Sequence, residues 1–199
     1  MSTQPIERIA VLGAGTMGHG IAQVAAMSGF ETVLFDIDTE ALDRGLTRVQ
    51  ANLDKGVERG KVTPALRDET LARLSGTHVL ADAAQDADMV IEAAPERMDI
   101  KTSIFAQLDD LAPAHAILAT NTSSLSVSTI AESVSDPTRV VGMHFFNPVH
   151  ILKLLEVVRA KRTSSDVLAQ VQAVGEQMGR VLVNVQDVPG FASSRLGIA

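Results

Sequence analysis

Two residues in the last third of the chain are at odds with their surroundings. His144 lies in Val140-Val141-Gly142-Met143-His144-Phe145-Phe146-Asn147-Pro148, and Glu156 lies in Leu154-Leu155-Glu156-Val157-Val158. A carboxylate in an apolar strand is costly unless it is paired or turned to solvent. Both segments read as strands. If they form a hairpin centred near His150, His144 and Glu156 are equidistant from the centre and face each other. Facing residues in such a pair have Cβ atoms ~4.5–5.5 Å apart, close enough for their side chains to hydrogen-bond. A His–carboxylate dyad of this kind can take a proton from an alcohol as a hydride leaves the carbon, and return it in the reverse direction. The glutamate would fix the imidazole tautomer and stabilise the imidazolium that forms. The spacing alone fits equally well a packed core histidine beside an outward-facing strand glutamate, because structural ion pairs have the same composition.

A second pattern stands near the start. The apolar run Ile9-Ala10-Val11-Leu12 leads into Gly13-Ala14-Gly15-Thr16-Met17-Gly18 and then into a helical pattern. A lone GxGxxG is weak, but here a strand precedes it and a helix follows. An acidic residue, Asp36, also ends the next strand, eighteen residues beyond Gly18 where about 20 is expected. Gly13 permits the tight turn, Gly15 lets the backbone approach a pyrophosphate, and Gly18 lets the helix pack against the sheet. The helix N-terminus then offers N–H groups and a positive dipole end to the anion. Asp36 can accept hydrogen bonds from ribose hydroxyls and would repel a 2′-phosphate, which favours NAD over NADP. FAD would use the same loop, and a ligand-free glycine turn is the bland alternative.

Composition narrows the classes. The 199 residues carry a formal charge of −7, contain no cysteine, and are 3% aromatic with no Trp or Tyr. Disulfides, thiolate metal sites and a cysteine nucleophile are therefore excluded, and no metal site is expected. The acidic balance and scarcity of aromatic stacking groups speak against nucleic-acid binding. No apolar run approaches the ~20 residues of a membrane helix. The N-terminus lacks the pattern of a signal peptide, so a cytoplasmic location is expected. One stretch departs from the overall charge. From Arg44 to Arg67 there are six basic residues (Arg44, Arg48, Lys55, Arg59, Lys61, Arg67) and two acidic ones (Asp54, Glu58). Adding the flanking Asp43 and Asp68 halves the excess, and a solvated helix face would look the same.

The elements that must position these residues alternate between short apolar runs and helical periodicity, the signature of an α/β fold with a mainly parallel sheet. Strands are predicted at 8–12, 32–35, 77–80, 89–93, 116–119, 139–146, 153–158 and 181–185. Helices are predicted at 16–28, capped by Gly29, and around Leu42, Leu46, Val49 and Leu53. Others are expected from Pro64 through Leu66, Leu71 and Leu74, around Ile104–Leu111, at 127–134, and around Val167, Val171, Val174 and Met178. The polar loop Thr120–Ser124 follows the fifth strand, and a tight connection is expected between the sixth and seventh. The result is a Rossmann-type doubly wound, mainly parallel sheet. It has an antiparallel pair near its end and a helical excursion after the second strand.

The segments GAGTMGHGIA, EAAPE, NTSSL, HFFNPVHILKLLEV and DVPGF, in this order, resemble the L-3-hydroxyacyl-CoA dehydrogenase family over nearly the whole chain. Bacterial 3-hydroxybutyryl-CoA dehydrogenases are the members it looks most like. The resemblance implies that NAD is the cofactor, that an acyl-CoA is the substrate, and that His144 is the base with Glu156 as its partner. It implies further that Ser123 contacts the substrate hydroxyl near the nicotinamide, and that Asn147 lies beside cofactor and reacting centre. Glu96 and Lys101 match positions that contact NAD. The region of Asn52, Lys55, Arg59 and Lys61 corresponds to the one that holds coenzyme A, in keeping with its local charge. A related dehydrogenase of a free hydroxy or sugar acid, or a non-catalytic NAD-binding protein, are the rival readings.

Two departures from the family matter. Ser194 stands where the family often has an Asn near the substrate, and serine is shorter. The chain also stops at Ala199, where family members continue into a helical C-terminal domain that closes over the substrate and makes most of a homodimer interface. The resemblance therefore implies an NAD-binding domain at 1–187, and a linker with the start of an otherwise missing domain at 188–199. Turnover by this chain would suffer from poorer water exclusion.

Overall fold

A computed structural model describes residues 5–188. Its eight-stranded sheet runs β3-β2-β1-β4-β5-β6-β7-β8, with β1 Arg8–Leu12, β2 Glu31–Phe35, β3 Leu74–Thr77, β4 Met89–Glu92, β5 Ile117–Thr120, β6 Val140–Phe145, β7 Leu154–Arg159 and β8 Val181–Gln186. All neighbouring strands are parallel except β6 and β7. The first six follow the doubly wound Rossmann order, whose direction of winding reverses between β1 and β4.

Alternation along the strands builds a core on each face. Ile9 and Val11 join Ile21, Ala25, Val171 and Val174 on one side. Ala10 and Leu12 join Ala84, Phe105, Leu108 and Ile130 on the other. Helices α1 (Gly18–Met27), α2 (Thr39–Glu58), α3 (Pro64–Ala72) and α7 (Ser165–Gln177) are complemented by α4 (Leu80–Ala84), α5 (Met98–Leu111) and α6 (Val127–Ala131). Leu42, Val49 and Leu53 are buried along one face of α2, as their spacing requires. Side-chain caps start several helices where the sequence places them: Asp38 for α2, Thr63 before Pro64 for α3, and Ser164 for α7. Among the described residues, no helix is long and apolar enough to cross a membrane, and no cluster of His, Cys, Asp or Glu could hold a metal ion.

The structure corrects several expectations. The third strand is Leu74–Thr77, not 77–80, and pairs with Thr32–Phe35. Leu74 therefore belongs to the strand and not to α3. The run Leu-Ser-Gly-Thr lies at a sheet edge and is largely exposed, so it lacks an apolar signature. Residues expected to complete that strand instead lead into α4, which buries Ala83 and Ala84. Helix α1 begins at Gly18, not Thr16, because the preceding residues form the glycine loop. Helix α6 ends at Ala131, and Arg139 lies in a 3₁₀ turn, Pro137–Arg139. The β6–β7 connection is not tight. It spans 146–153, contains a cis Asn147–Pro148 bond, and makes its own turn, with Ile151 and Leu152 N–H groups donating to the Pro148 carbonyl at 3.0 and 2.9 Å.

The exit from β8 is tied back to the loop after β5. The Asp187 carboxylate accepts the N–H groups of Val127 and Ser128 at 3.0 and 2.7 Å and the Ser126 hydroxyl at 3.0 Å. Asp187→Ala should therefore uncap α6 and lower stability by about 1–2 kcal/mol. A reduced urea midpoint with an unchanged m-value would show this, and an unchanged midpoint would refute the capping role.

Candidate active site

The register settles the geometry of the dyad. His144 pairs directly with Glu156 across β6 and β7. Nδ1 of His144 donates to Glu156 Oε2 at 2.7 Å, and the two residues are only 7% and 2% exposed. Phe146 packs its ring 4.5 Å from the imidazole. With Nδ1 engaged, Nε2 is the ring nitrogen through which His144 can exchange a proton.

His144 lines a cleft of about 470 Å³ at the C-terminal edge of the parallel strands, together with Met17, Glu96, Asn121, Ser123, Asn147 and Leu152, among others. The structure thus brings Ser123, Asn147 and Glu96 into the same cleft as His144. Glu96 collects the whole 122–124 turn. Its Oε1 accepts from Thr122 Oγ1 at 2.6 Å, from the N–H groups of Ser123 and Ser124 at 2.8 and 3.1 Å, and from Ser123 Oγ at 3.2 Å. Burial alone would raise the Glu96 carboxyl. Those hydrogen bonds and the Lys101 ammonium outweigh it and hold the group below the ordinary carboxylate range.

Lys101 lies beneath the cleft floor and is 1% exposed. Its ammonium donates to Glu92 Oε1 at 2.7 Å and to the Ala94 carbonyl at 3.2 Å, with Glu96 Oε2 3.6 Å away. Its visible role is to support Glu96 from below. Sequence reasoning missed Glu92, although it is a carboxylate inside an apolar strand, the same signal that singled out Glu156. It also missed Asn121, whose Oδ1 accepts the Phe145 N–H at 2.8 Å and fixes the end of β6 beside His144.

The glycine loop lies at the β1–β4 reversal. Gly13 has φ +98° and its N–H donates to the Phe35 carbonyl at 2.7 Å. A Cβ at Gly18 would lie 1.7 Å from the Gly13 carbonyl oxygen, so that position is closed to any side chain. A Cβ at Gly15, by contrast, would meet nothing within 4 Å. The N-terminus of α1, next to Thr16 and Met17, has no side-chain cap. An open cradle at Gly15 beside an uncapped helix start fits a pyrophosphate. Asp36 directly follows β2, where its Oδ2 accepts the Ala14 N–H at 2.8 Å and Oδ1 accepts that of Asp38 at 3.0 Å. This half-exposed carboxylate fits a ribose hydroxyl pair.

A second cleft, of about 330 Å³, contains Asn52, Lys55, Arg59, Lys61, Gln23, His150 and Ile151 in its lining. All four residues of the basic excursion implicated by the sequence meet here. Arg67 does not join them and pairs with Asp54 and Asp68. Ser194, with the rest of the 189–199 segment, lies outside the described residues.

The model of the family described as 3-hydroxyacyl-CoA dehydrogenase, NAD binding domain, matches residues 8–188. The chain belongs to this family. A probable 3-hydroxybutyryl-CoA dehydrogenase of Bacillus subtilis is 45% identical over 191 residues, covering 96% of this chain and 66% of that protein. A 3-hydroxyadipyl-CoA dehydrogenase of Escherichia coli is 42% identical, covering 96% of this chain and 40% of that protein. The crystal structure of (S)-3-hydroxybutyryl-CoA dehydrogenase from Ralstonia eutropha superposes with a TM-score of 0.93 at 39% identity, covering 96% of this chain and 67% of that one. The chain thus spans less than two thirds of the length of these first two relatives. It is the NAD-binding domain of the 3-hydroxyacyl-CoA dehydrogenase family, and the residues of its glycine loop fit that cofactor.

Two predictions follow from this geometry. Gly18→Ala should destabilise the fold by about 1–3 kcal/mol through overpacking, whereas Gly15→Ala should leave stability unchanged and weaken NADH binding by about tenfold or more. Equal losses of stability in both variants would contradict the assignment of Gly15 to the cofactor. Because the folded-state pKa of Glu96 is depressed, its contribution to stability is fully present above its unfolded pKa and is lost as pH falls through the folded value. The difference in unfolding midpoint between wild type and Glu96→Gln should therefore be largest above the ordinary glutamate range and shrink as pH falls below that range. A pH-independent difference would mean that the carboxylate charge is not what holds the turn.

Proposed function

We propose that this chain carries the cofactor-binding and proton-transfer half of an enzyme that reversibly oxidises (S)-3-hydroxyacyl-CoA, with 3-hydroxybutyryl-CoA the leading candidate, to 3-oxoacyl-CoA. The observation that carries the reading is the buried His144–Glu156 pair opening on the same cleft as Ser123 and Asn147. NAD, when bound, supplies the acceptor for the hydride that leaves C3.

The residues of the chain do the rest. Glu156 holds the Nδ1–H of His144, so Nε2 is the lone-pair site that takes the proton from the C3 hydroxyl as the C–H bond breaks. The carboxylate then stabilises the imidazolium without itself needing a proton. Ser123, held through its backbone and hydroxyl by Glu96, positions the substrate oxygen. Asn147, from the β6–β7 connection, lines the reacting end of the cleft. Gly13, Ala14, Gly15, Thr16, Met17 and Gly18 form the pyrophosphate loop, with Asp36 on the ribose and Glu96 and Lys101 bracing the nicotinamide end. In the reverse direction His144 returns its proton to the oxygen.

The position of the basic cleft supports a coenzyme A thioester over a free acid. One segment forms a wall of both clefts, giving Asn147 and Leu152 to the dyad side and His150 and Ile151 to the basic side. A substrate with a short reacting acyl group and a distant phosphate-bearing tail matches that arrangement. For the whole protein, the reading includes a homodimer and a cytoplasmic location, which a cysteine-free chain suits.

His144→Gln should lower acetoacetyl-CoA-dependent NADH oxidation by about 10²–10⁴-fold while NADH still binds. Measured on the protein with its full C-terminal region, a near-normal rate would sink the catalytic assignment.

A further inference from the structure

The basic cleft holds one titratable group that the charge pattern did not single out. His150 lies at the middle of the β6–β7 connection and lines the cleft with Lys55 from α2, Arg59 at the C-terminal cap of that helix and Lys61 from the following turn. Every charged or titratable side chain lining the cleft is basic, and the neutral polar groups Asn52 and Gln23 are hydrogen-bonded to each other at 3.1 Å.

Two more basic side chains bear on the connection. His19 on α1 donates from Nδ1 to the Gly15 carbonyl at 2.6 Å and opposes positive charge on His150. Arg180 braces the connection from below through the carbonyls of Val149 and Leu152, both at 2.9 Å. Partial burial and the His19 charge hold the His150 imidazole below the ordinary histidine range. Lysine and arginine are ordinarily cationic throughout the neutral range, whereas histidine is not. His150 differs, because an arriving anion can bring it into charge.

We propose that His150 is a specificity-determining residue for the phosphate-bearing tail of the substrate, taking up a proton as a phosphate of coenzyme A enters the cleft and then joining Lys55, Arg59 and Lys61 in holding it. The proposal rests on reading this cleft as the coenzyme A site. The sign of the linkage follows from electrostatics. A phosphate stabilises the imidazolium, so the pKa of His150 is higher in the complex than in the free protein. Binding consumes protons between those two values, and affinity falls as pH rises through the bound-state value.

Calorimetric titration of the 199-residue chain with coenzyme A, in phosphate-free buffers of low and high ionisation enthalpy, measures the proton uptake. At pH 7 the wild type should take up more protons than His150→Gln; comparison with the variant removes the contribution of the ligand's own phosphates. The variant should bind about fivefold more weakly at pH 6 and equally well at pH 8.5, as expected for a partly exposed ion pair. His150→Lys, a permanent cation, should keep its affinity at pH 8.5 while losing the excess uptake. Unfolding midpoints of both variants should match wild type, since the position is at the surface. Equal proton uptake and parallel pH profiles for wild type and His150→Gln would overturn the role of His150 alone. Failure of coenzyme A to bind the wild type would overturn the reading of the cleft and this inference with it.

Discussion

The site depends on an ion pair buried between the sheet and α5. Glu92 and Lys101 are 0% and 1% exposed, and withdrawing two such charges from water costs several kcal/mol each. The cost is offset only because their hydrogen-bonding capacity is well used. Glu92 Oε1 accepts from Lys101 Nζ and from the Ala94 N–H, both at 2.7 Å, while Oε2 accepts from Thr120 Oγ1 at 2.7 Å. The pair thereby fastens the end of β4, the end of β5 and the first turns of α5 to one point. Glu96 stands on that point, and the Ser123 turn hangs from Glu96. Losing either charge would strand the other in the core and release every connection above it.

The sheet topology explains why the groups meet. Parallel strands deliver their ends, and the loops after them, to one edge. The reversal of winding between β1 and β4 parts the loops there and leaves room for a dinucleotide. The dyad needs something a purely parallel sheet does not provide. Because β7 returns antiparallel to β6, a carboxylate can stand directly opposite an imidazole in a fixed register. A slip of one residue would turn Glu156 to the other face of the sheet.

Much of this was legible in the sequence because the signals were local or regularly spaced. The glycine loop, Asp36 and the pairing of His144 with Glu156 each follow from position along the chain. The buried face of α2 follows from periodicity. The features that were not legible depend on neighbours remote in sequence. Leu74–Thr77 is a strand only because β2 offers it an edge, and nothing in a polar four-residue run announces that. Lys101 is singled out only by the resemblance, as a position that contacts NAD; its ion pair with Glu92, nine residues earlier, requires the fold. Asn121 was visible as part of a polar loop, but its grip on Phe145 requires knowing that β5 and β6 are neighbours. His150 reads as the midpoint of a hairpin until the connection is seen to be long enough to form a wall of its own.

That wall couples two otherwise separable properties. Residues 146–153 form the partition between the dyad cleft and the basic cleft, with Asn147 and Leu152 on one side and His150 and Ile151 on the other. Lengthening the partition or changing its bulk alters the width of both compartments at once. The basic residues at the end of α2 and just beyond it, by contrast, can change in number and position without altering His144. Change in such a domain is therefore unevenly constrained: the lining of the basic cleft can be retuned residue by residue, whereas the width of the dyad cleft changes only together with that of its neighbour.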